Sequence, residues 1–518
     1  MADSRYLTLF ANESIRMTGQ WTVSSVAAAL VLMSLGITAA ADPKPTSGRA
    51  ALTGTSTEKP VTDVPAPDRK GEDWSSFLGP LGTGVCNETN WLKSWPEDGL
   101  KTAWSKRVGT GYSAPSVMGN RLVVFHRPRG NEDIIECLRA DNGEPLWRFT
   151  YATEYEDRYA YNNGPRCTPL LTKTRVFTLN PEGKLFCLDL VTGKQIWSRD
   201  CSKDFRIPDE ENFFGVGCTP ILEGNLLIVL VGGQPNSGVV AFNSETGDTV
   251  WQSVGKKTWN GVETGGSIKP KYEWTGSESL YSYSSPIAAT IHGRRQVLCL
   301  MRQGLVSLDP KDGSENFKFW FRPKERDSVN AARPVVIGDK IFLSAAYKTG
   351  SALVQVQPSG KEVKVLWQDP RNMLTHWSTT IHVDGHLYGF SGRHEEEGEL
   401  RCLDLETGKV LWQSTGYEGD TSKLSQSPVT GEIKDGTGKI IPFPFLGRGS
   451  KIQIGDRFLA LGERGTLSLM KINPENFEEL GRMSVSGIKY PAWAAPILSR
   501  GRVYLRSETH LVCLDLAP

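Results

Sequence analysis

One unit recurs along this chain at a nearly regular interval, and it constrains the fold more than any other feature. In its clearest copy an alternating strand, Cys-Leu-Asp-Leu, is followed by the turn Val-Thr-Gly-Lys and then by Gln-Ile-Trp, which ends at Trp197. Self-similarity at a fixed period indicates structural units that stack on one another. The five best copies are Cys137–Trp147, Cys187–Trp197, Ala241–Trp251, Ser307–Phe317 and Cys402–Trp412.

Each copy has the pattern of a β-hairpin. Alternating apolar residues before the turn predict a half-buried strand. The turn carries Thr-Gly, Asn-Gly or Asp-Gly, and its glycine supplies the positive φ that a short hairpin with a bulge needs. The tryptophan four residues later begins the next strand, and the small residue ten positions before it leaves room for a flat indole. One hairpin cannot bury its apolar face alone, so the copies are expected to pack together.

The spacing of the units predicts a β-propeller with eight blades. The turn glycines lie about 40–50 residues apart, which is typical of a four-stranded blade, and insertions lengthen two intervals. A second marker, often a short residue and proline before a strand, opens each unit. The eight starts are Ala114-Pro115, Thr168-Pro169, Thr219-Pro220, Ser285-Pro286, Arg333-Pro334, Trp377-Ser378, Lys451-Ile452 and Ala495-Pro496. Two copies are degenerate: near Gly360 the tryptophan is displaced to Trp367, and near Asn473 the glycine turn is missing.

The two ends of the repeat region complement each other. Residues 511–516 are a repeat that stops before its turn, whereas residues 100–105 are a tryptophan strand with nothing before it. Together they predict one blade that closes the ring and removes an exposed sheet edge. The expected fold is therefore an all-β, eight-bladed propeller closed by its N- and C-terminal strands. Its structural docking residues are Trp104, Trp147, Trp197, Trp251 and Trp412.

The pattern small-x-Asp-x-x-Thr-Gly-Lys-x-x-Trp resembles the tryptophan-docking motif of the pyrroloquinoline quinone (PQQ)-like repeat propellers. The resemblance covers roughly residues 73–518. The opening Asp73-Trp74-Ser75-Ser76-Phe77-Leu78-Gly79-Pro80 is similar to exported PQQ-like proteins of planctomycete type. The resemblance implies eight blades around a central axis, with each tryptophan docked on the neighbouring blade. It says little about activity, because one fold hosts many functions.

The amino-terminal residues predict export. Residues 1–41 are read as a signal peptide with small residues, Ala39-Ala40-Ala41, before the cleavage point, and a single membrane anchor is the alternative. Residues 42–72, rich in Pro, Thr, Ser and Lys, predict a disordered linker before the propeller at 73–518. The expected location is the periplasm or cell envelope, with membrane contact only if the leader is uncleaved. No cysteine closely follows the leader, which departs from the outer-membrane assembly lipoprotein that shares this propeller.

Composition excludes some classes of partner and of site. The formal net charge is +1 and no basic stripe is present, which argues against nucleic acid. The nine cysteines do not require disulfides, and Cys137, Cys187, Cys402 and Cys513 share a buried repeat position. His394-Glu395-Glu396-Glu397 has metal-ligand residue types but is interpreted as a solvated hairpin tip. No metal site is predicted.

Three functions stay open. The first is a PQQ- and calcium-dependent alcohol or aldose dehydrogenase. The family enzymes sandwich the quinone between a tryptophan and, in one branch, a disulfide of adjacent cysteines, a pair that this chain lacks. The second, which is favoured, is a non-catalytic binding or scaffold module for a protein, peptide or glycan. It would use the axial mouth or the insertion loops 252–284 and 413–450. The third is another enzyme class, for which no hydrolase, metalloprotease or phosphate-binding motif is found.

Candidate ligand-binding residues come from the blade starts, because the first strand of a blade is innermost and its beginning lies at the axial mouth. Arginines there offer planar forks to a carboxylate or phosphate, and aromatic rings offer stacking surfaces. The alternative is that they close the inner strands by ordinary packing. The predicted residues are Tyr112, Arg166, Tyr283, Arg333, His376, Trp377 and Trp493. No catalytic residue is assigned.

Overall fold

The computed structural model describes residues 52–96, 98–207, 214–260, 274, 276, 278, 280–322 and 328–518. The predicted signal peptide at 1–41 and the first ten residues of the predicted linker lie outside the described residues. In the described part, no helix has both the length and the apolar character needed to span a bilayer.

The described part of the chain is almost entirely β-structure, as the sequence predicts. Within it, one short helix, α1 (Cys201–Phe205), and two 3-10 turns, Glu395–Glu397 and Thr421–Lys423, interrupt the strands. The first nineteen strands are β1 (Thr55–Ser56), β2 (Val85–Cys86), β3 (Lys101–Arg107), β4 (Ser116–Met118), β5 (Arg121–His126), β6 (Glu132–Arg139), β7 (Pro145–Ala152), β8 (Leu170–Leu171), β9 (Arg175–Leu179), β10 (Lys184–Asp189), β11 (Gln195–Asp200), β12 (Ile221–Glu223), β13 (Leu226–Gly233), β14 (Ser237–Asn243), β15 (Thr249–Ser253), β16 (Ile287–Ile291), β17 (Arg294–Leu300), β18 (Gly304–Leu308) and β19 (Glu315–Trp320). The others are β20 (Val335–Ile337), β21 (Lys340–Ala345), β22 (Gly350–Val356), β23 (Val363–Asp369), β24 (Ile381–Val383), β25 (His386–Ser391), β26 (Glu399–Asp404), β27 (Val410–Ser414), β28 (Ser425–Gln426), β29 (Ile433–Lys434), β30 (Ile440–Ile441), β31 (Ser450–Ile454), β32 (Arg457–Leu461), β33 (Thr466–Lys471), β34 (Glu479–Ser484), β35 (Ile497–Ser499), β36 (Arg502–Arg506) and β37 (His510–Asp515).

These strands form a series of four-stranded antiparallel sheets, numbered here in chain order. Sheets 1 to 6 are β4–β7, β8–β11, β12–β15, β16–β19, β20–β23 and β24–β27, and sheet 7 is β31–β34. Sheet 8 joins β35, β36 and β37 to β3, so that Lys101 pairs with Asp515. This is the pairing that the two partial repeats predict. A small sheet, β28–β30, lies in the insertion after sheet 6.

The turn between the third and fourth strands is a hairpin with a bulge. In sheet 2, Cys187 lies opposite Trp197 and the next pair is Leu188 with Gln195, so Ile196 is the extra residue. Equivalent register shifts occur at this point in the other seven sheets. The turn glycine Gly193 has a φ of 68°. The bulge that the sequence pattern predicts is therefore a regular feature of the repeat.

In six of the eight sheets, the tryptophan of the unit lies on the turn of the following sheet. A Cβ built on Gly193 would approach the Trp147 ring to 2.5 Å, so only glycine fits beneath this indole. The Trp147 Nε1 donates to the Leu190 carbonyl at 2.9 Å. The same indole-to-carbonyl bond joins Trp104 to Ala140, Trp197 to Ser244, Trp251 to Pro310, Trp367 to Leu405 and Trp412 to Asn473. Trp367, which the sequence reading treats as displaced, docks like the others.

Hydrogen bonds join the starts of the first strands of neighbouring sheets. Ser116 Oγ donates to the Pro169 carbonyl at 2.6 Å, and the Thr219 amide donates to Ser285 Oγ at 2.9 Å. A crossing segment, residues 73–86, spans several first strands. Its Trp74 carbonyl accepts from the Val117 amide, its Gly84 carbonyl accepts from the Gln453 amide, and β2 pairs in parallel with β31. The space between the first strands is thus crossed by the chain itself.

Two segments differ from the sequence expectation. Residues 52–72, assigned to a disordered linker by composition, have defined contacts: β1 pairs with β7, and Arg69 donates to Asp515 at 2.7 Å. The reason is that a polar segment can be ordered by main-chain pairing with a free sheet edge, which composition does not reveal. The second is Trp259, which lies in the insertion 252–284 that the sequence offers as a binding loop. It is fully buried and packs edge-to-face on Trp320, with ring centroids 5.4 Å apart.

Candidate functional site

The predicted ligand-binding residues all precede first strands, and four of them meet in one cluster. The ring centroids of Tyr112 and Trp493 lie 4.6 Å apart, as do those of Trp493 and Trp377. His376 follows at 4.7 Å from Trp377, and its Nε2 lies 3.0 Å from the Tyr347 hydroxyl. Sheets 1, 6 and 8 therefore each contribute an aromatic ring to a continuous arc.

The arc is held by a buried ion pair that sequence reasoning missed. Arg448 donates to both carboxylate oxygens of Glu463, from Nε at 2.9 Å and from a terminal nitrogen at 2.8 Å. The Arg448 guanidinium lies 4.4 Å from the Trp377 ring centroid and 5.3 Å from that of Trp493. Trp493 Nε1 also donates to Glu463. We call Tyr112, His376, Trp377, Arg448, Glu463 and Trp493 the mouth cluster.

The electrostatics of the cluster favour fixed charges and a neutral histidine. Burial disfavours a charged Arg448, but Glu463 outweighs this effect and raises the pKa of the guanidinium. Burial, with Arg448 and Arg393 nearby, lowers the pKa of His376 well below its usual value. The Trp377 indole nitrogen is buried and has no hydrogen-bond partner among the described residues. The cluster thus presents aromatic faces and the unused indole donor of Trp377 rather than an acid–base pair.

The three other predicted residues lie in different surroundings. Arg166 donates to Asp157, and its guanidinium lies 5.9 Å from the Tyr112 ring centroid, at the margin of the mouth cluster. The Tyr283 hydroxyl accepts from the Phe214 amide at 3.0 Å. Arg333 is buried and donates to the carbonyls of Phe77, Gly82 and Pro286. It therefore anchors the crossing segment to sheets 4 and 5.

Two residues of the mouth cluster, Arg448 and Glu463, were not predicted, and the sequence signals that could have identified them differ in strength. Arg448 precedes β31 just as Arg166 precedes β8, so the blade-start rule could have found it, but the start in sheet 7 lacks a proline. Glu463 lies in the turn between β32 and β33 and has no repeat signal. The solvated-tip interpretation of residues 394–397 is wrong for Glu395, which is buried and accepts from Arg464 at 2.7 Å.

The residues present do not fit a quinone with calcium. The rings of Trp377 and Trp493 contact each other at an angle of 43°, and the Arg448 guanidinium occupies a face of each. The nine cysteines are all free and buried, and no disulfide lies beside a ring. Within the described ranges, no group of three or more His, Cys, Asp or Glu side chains could hold a metal ion.

A lysine close in sequence to Arg448 lies in the core. Lys451, on β31, is 2% exposed, and its Nζ has no hydrogen-bond partner in the part of the chain that the structure describes. The ammonium lies 5.5 Å from the Phe390 ring centroid and 5.7 Å from that of Phe458. Burial lowers the pKa of Lys451 from 10.5 to about 7.

Replacing Lys451 by methionine should stabilise the protein at pH 7 by about 1–3 kcal/mol, because an unpartnered buried polar group is removed. The folded pKa of about 7 lies below the unfolded value, so the unfolded chain binds more protons between these two pH values. Wild-type stability therefore rises with pH through this window, and the advantage of Lys451→Met should shrink. Urea titrations at about pH 7 and pH 9.5 measure both quantities. An equal advantage at both pH values would contradict a depressed lysine pKa.

Comparison with known proteins gives a consistent family relationship. The family model described as outer membrane protein assembly factor BamB matches residues 131–414. BamB from Yersinia pestis is 22% identical over 276 residues, which are 52% of this chain and 60% of that protein. The match thus spans less than two thirds of the relative.

Solved structures show the same fold at low identity. BamB from Moraxella catarrhalis has 13% identity and a TM-score of 0.51, over 80% of this chain and 99% of that one. A europium-containing methanol dehydrogenase has 13% identity and a TM-score of 0.55, over 84% and 90%. The quinohemoprotein alcohol dehydrogenase from Comamonas testosteroni has 12% identity and a TM-score of 0.55, over 86% and 80%. At these identities the likeness concerns the fold alone.

Proposed function

Because this chain belongs to the PQQ-like repeat family whose model is described as outer membrane protein assembly factor BamB, we propose that it is a non-catalytic binding propeller. Its eight four-stranded sheets would be the blades of one closed ring. Six indole-to-carbonyl bonds, each directed to the following sheet, and the pairing of β3 with β37 support this arrangement.

The observation that carries the proposal is the self-packed mouth cluster. In a quinone enzyme of this fold the ring of the cofactor needs an exposed aromatic face near the axis. Here Trp377 and Trp493 contact each other, the Arg448 guanidinium occupies a face of each ring, and Glu463 accepts hydrogen bonds from Arg448 and Trp493. Such a rigid aromatic and guanidinium surface suits recognition of a partner, because little side-chain freedom is lost on binding. Trp, Tyr and Arg are also the residues that dominate binding energies at protein interfaces.

The proposed partner is a protein or peptide, and the proposed location is the periplasm or cell envelope. The relatives described as assembly factors favour a protein partner, whereas a glycan fits the same aromatic surface less specifically. The insertion after sheet 6 offers a second surface for the same role. The dehydrogenase alternative is decided by the first experiment below.

PQQ with Ca²⁺ should leave the melting temperature unchanged relative to Ca²⁺ alone. A ligand that binds the folded state at a hundred times its dissociation constant would stabilise by about 2.7 kcal/mol, which a melting curve resolves readily. Dye-linked oxidation of alcohols and aldoses by the PQQ-treated protein provides a second readout. A PQQ-dependent melting shift together with PQQ-dependent turnover would replace the proposal by the dehydrogenase.

Changing Tyr490 to alanine should reduce capture of a partner from native extract without lowering the melting temperature appreciably. Tyr490 is 45% exposed and lies at the rim of the mouth cluster, with its ring centroid 6.2 Å from that of Trp493. Val429→Ala is the matched control, because Val429 is 91% exposed and lies in the insertion after sheet 6. Loss of capture in Val429→Ala but not in Tyr490→Ala would transfer the binding site to the insertion.

A further inference from the structure

The outer edge of sheet 1 carries an additional strand supplied by the chain itself. The strap, residues 52–72, begins along β7, where Thr55 pairs with Thr150 in antiparallel register. The Thr57 amide donates to the Arg148 carbonyl and the Val61 amide to the Leu146 carbonyl, both at 2.9 Å. An extended segment can therefore be added to the fourth strand of this repeat through main-chain bonds.

The strap changes the exposure of one repeat position. Leu146 is the bulged residue before the docking tryptophan in sheet 1, and it is 3% exposed beneath the strap. Its equivalents in sheets 2, 3 and 6 are Ile196, Val250 and Leu411, which are 39%, 50% and 40% exposed. The same aliphatic position is thus buried in sheet 1, where a strand is added, and about half exposed in sheets 2, 3 and 6, where no strand is added.

Other outer edges are protected. In sheet 8, β3 bears Lys101, Lys106 and Arg107, and charged side chains of this kind discourage strand addition. In sheet 7, Arg482 of β34 donates to the carbonyls of Phe443 and Pro444 and the Glu479 amide donates to Glu418, so the insertion lies against this strand. In sheet 3, β15 reads Thr-Val-Trp-Gln-Ser and is uncharged, but Asn236 Nδ2 donates to the Gln252 carbonyl of this strand at 3.4 Å. The strand β27 of sheet 6 reads Val-Leu-Trp-Gln-Ser and also carries no charge. No strand of the described chain pairs with its outer edge.

We propose that the outer edge of β27 is a docking site for an extended segment of a partner protein, which adds an antiparallel strand there. Main-chain bonds along the edge supply affinity, and the exposed Leu411 side chain supplies apolar contact and specificity. The strap shows which chemistry fits, since its pairing residues Thr55, Ser56 and Thr57 are small or β-branched and uncharged. The incoming segment is therefore expected to alternate such residues and to lack charge opposite Leu411. This surface is separate from the mouth cluster.

The test uses the full chain and a labelled synthetic peptide with the sequence of residues 52–64, which already pairs with an equivalent edge. Hydrogen exchange should slow at the amides of β27 when the peptide is present. Leu411→Lys should weaken peptide binding at least tenfold, because an ammonium on the edge opposes pairing. Its melting temperature should stay unchanged, since the side chain is exposed. Val250→Lys, at the equivalent position of sheet 3, should alter the affinity less than twofold.

Each other outcome contradicts the proposal. Absence of protection in β27, or protection confined to β7 through exchange with the strap, would overturn it. If Val250→Lys and Leu411→Lys weaken peptide binding equally, the peptide does not prefer the edge of sheet 6 to that of sheet 3. Tyr490→Ala should leave peptide binding unaltered, so a failure here is separable from a failure of the mouth cluster as a binding site.

Discussion

Replacing Trp197 by alanine should lower the free energy of unfolding by about 3–5 kcal/mol, the range seen when large aromatic side chains are truncated in cores. The Trp197 indole is buried among residues of sheets 2 and 3, and its Nε1 donates to the Ser244 carbonyl at 2.9 Å. The truncation would leave a cavity between two sheets and an unsatisfied carbonyl. Urea denaturation followed by circular dichroism measures the loss.

The comparison with Trp412 makes this prediction specific. Trp412 makes the equivalent bond to Asn473 but stays partly exposed, so Trp412→Ala should cost less than Trp197→Ala. Val429→Ala, at a side chain 91% exposed, should lie within about 0.5 kcal/mol of wild type. Equal losses for Trp197→Ala and Val429→Ala would disprove the structural role of the docking tryptophans.

Replacing Glu463 by alanine should destabilise the protein by about 3–5 kcal/mol, because it leaves the Arg448 guanidinium buried without its carboxylate. Glu463 is 1% exposed and accepts bonds from Arg448 and from the Trp493 indole. We also expect a change in the near-ultraviolet circular dichroism, since Trp377 and Trp493 lose the group that orders them. Urea titration and the aromatic spectrum report the two effects independently.

Two further variants separate charge from packing at this site. Glu463→Gln keeps a hydrogen-bond acceptor and the shape of the side chain, so it should lower the free energy of unfolding less than Glu463→Ala does. The double variant Arg448→Met/Glu463→Leu removes both charges and should recover much of the stability, because a well-packed apolar pair often replaces a buried ion pair at little cost. A double variant that is less stable than Glu463→Ala would show that the ion pair is not the source of the effect.

The sequence predicts the repeat well because the determinants of the repeat are local. Thr192-Gly193 sets the hairpin, and the glycine also forms the surface on which Trp147 lies. The pairing of β3 with β37 follows from two partial copies of one pattern. In each case the residues that carry the signal are the residues that make the contact, so the pattern and the geometry coincide.

The parts that escaped prediction depend on contacts between distant segments. The strap is polar and reads as linker, yet the free edge of β7 orders it. Arg333 precedes a first strand like the residues of the mouth cluster, but carbonyls of the crossing segment capture its side chain. Glu463 occupies no position that the repeat pattern marks, and its role is recognised only from its contacts with Arg448 and Trp493. Four of the seven proposed site residues meet, and their partners required the structure.

The closure of sheet 8 has a consequence for how the protein is made. Strand β3 leaves the ribosome more than 400 residues before its partner β37. At roughly 5–20 residues per second, it waits on the order of 20–80 s for the strand that completes its sheet. Seven sheets can form from neighbouring hairpins during that time, whereas the eighth must be assembled last. Until β37 has been synthesised, β3 lacks the strand with which it pairs, and its edge is accessible to chaperones and proteases.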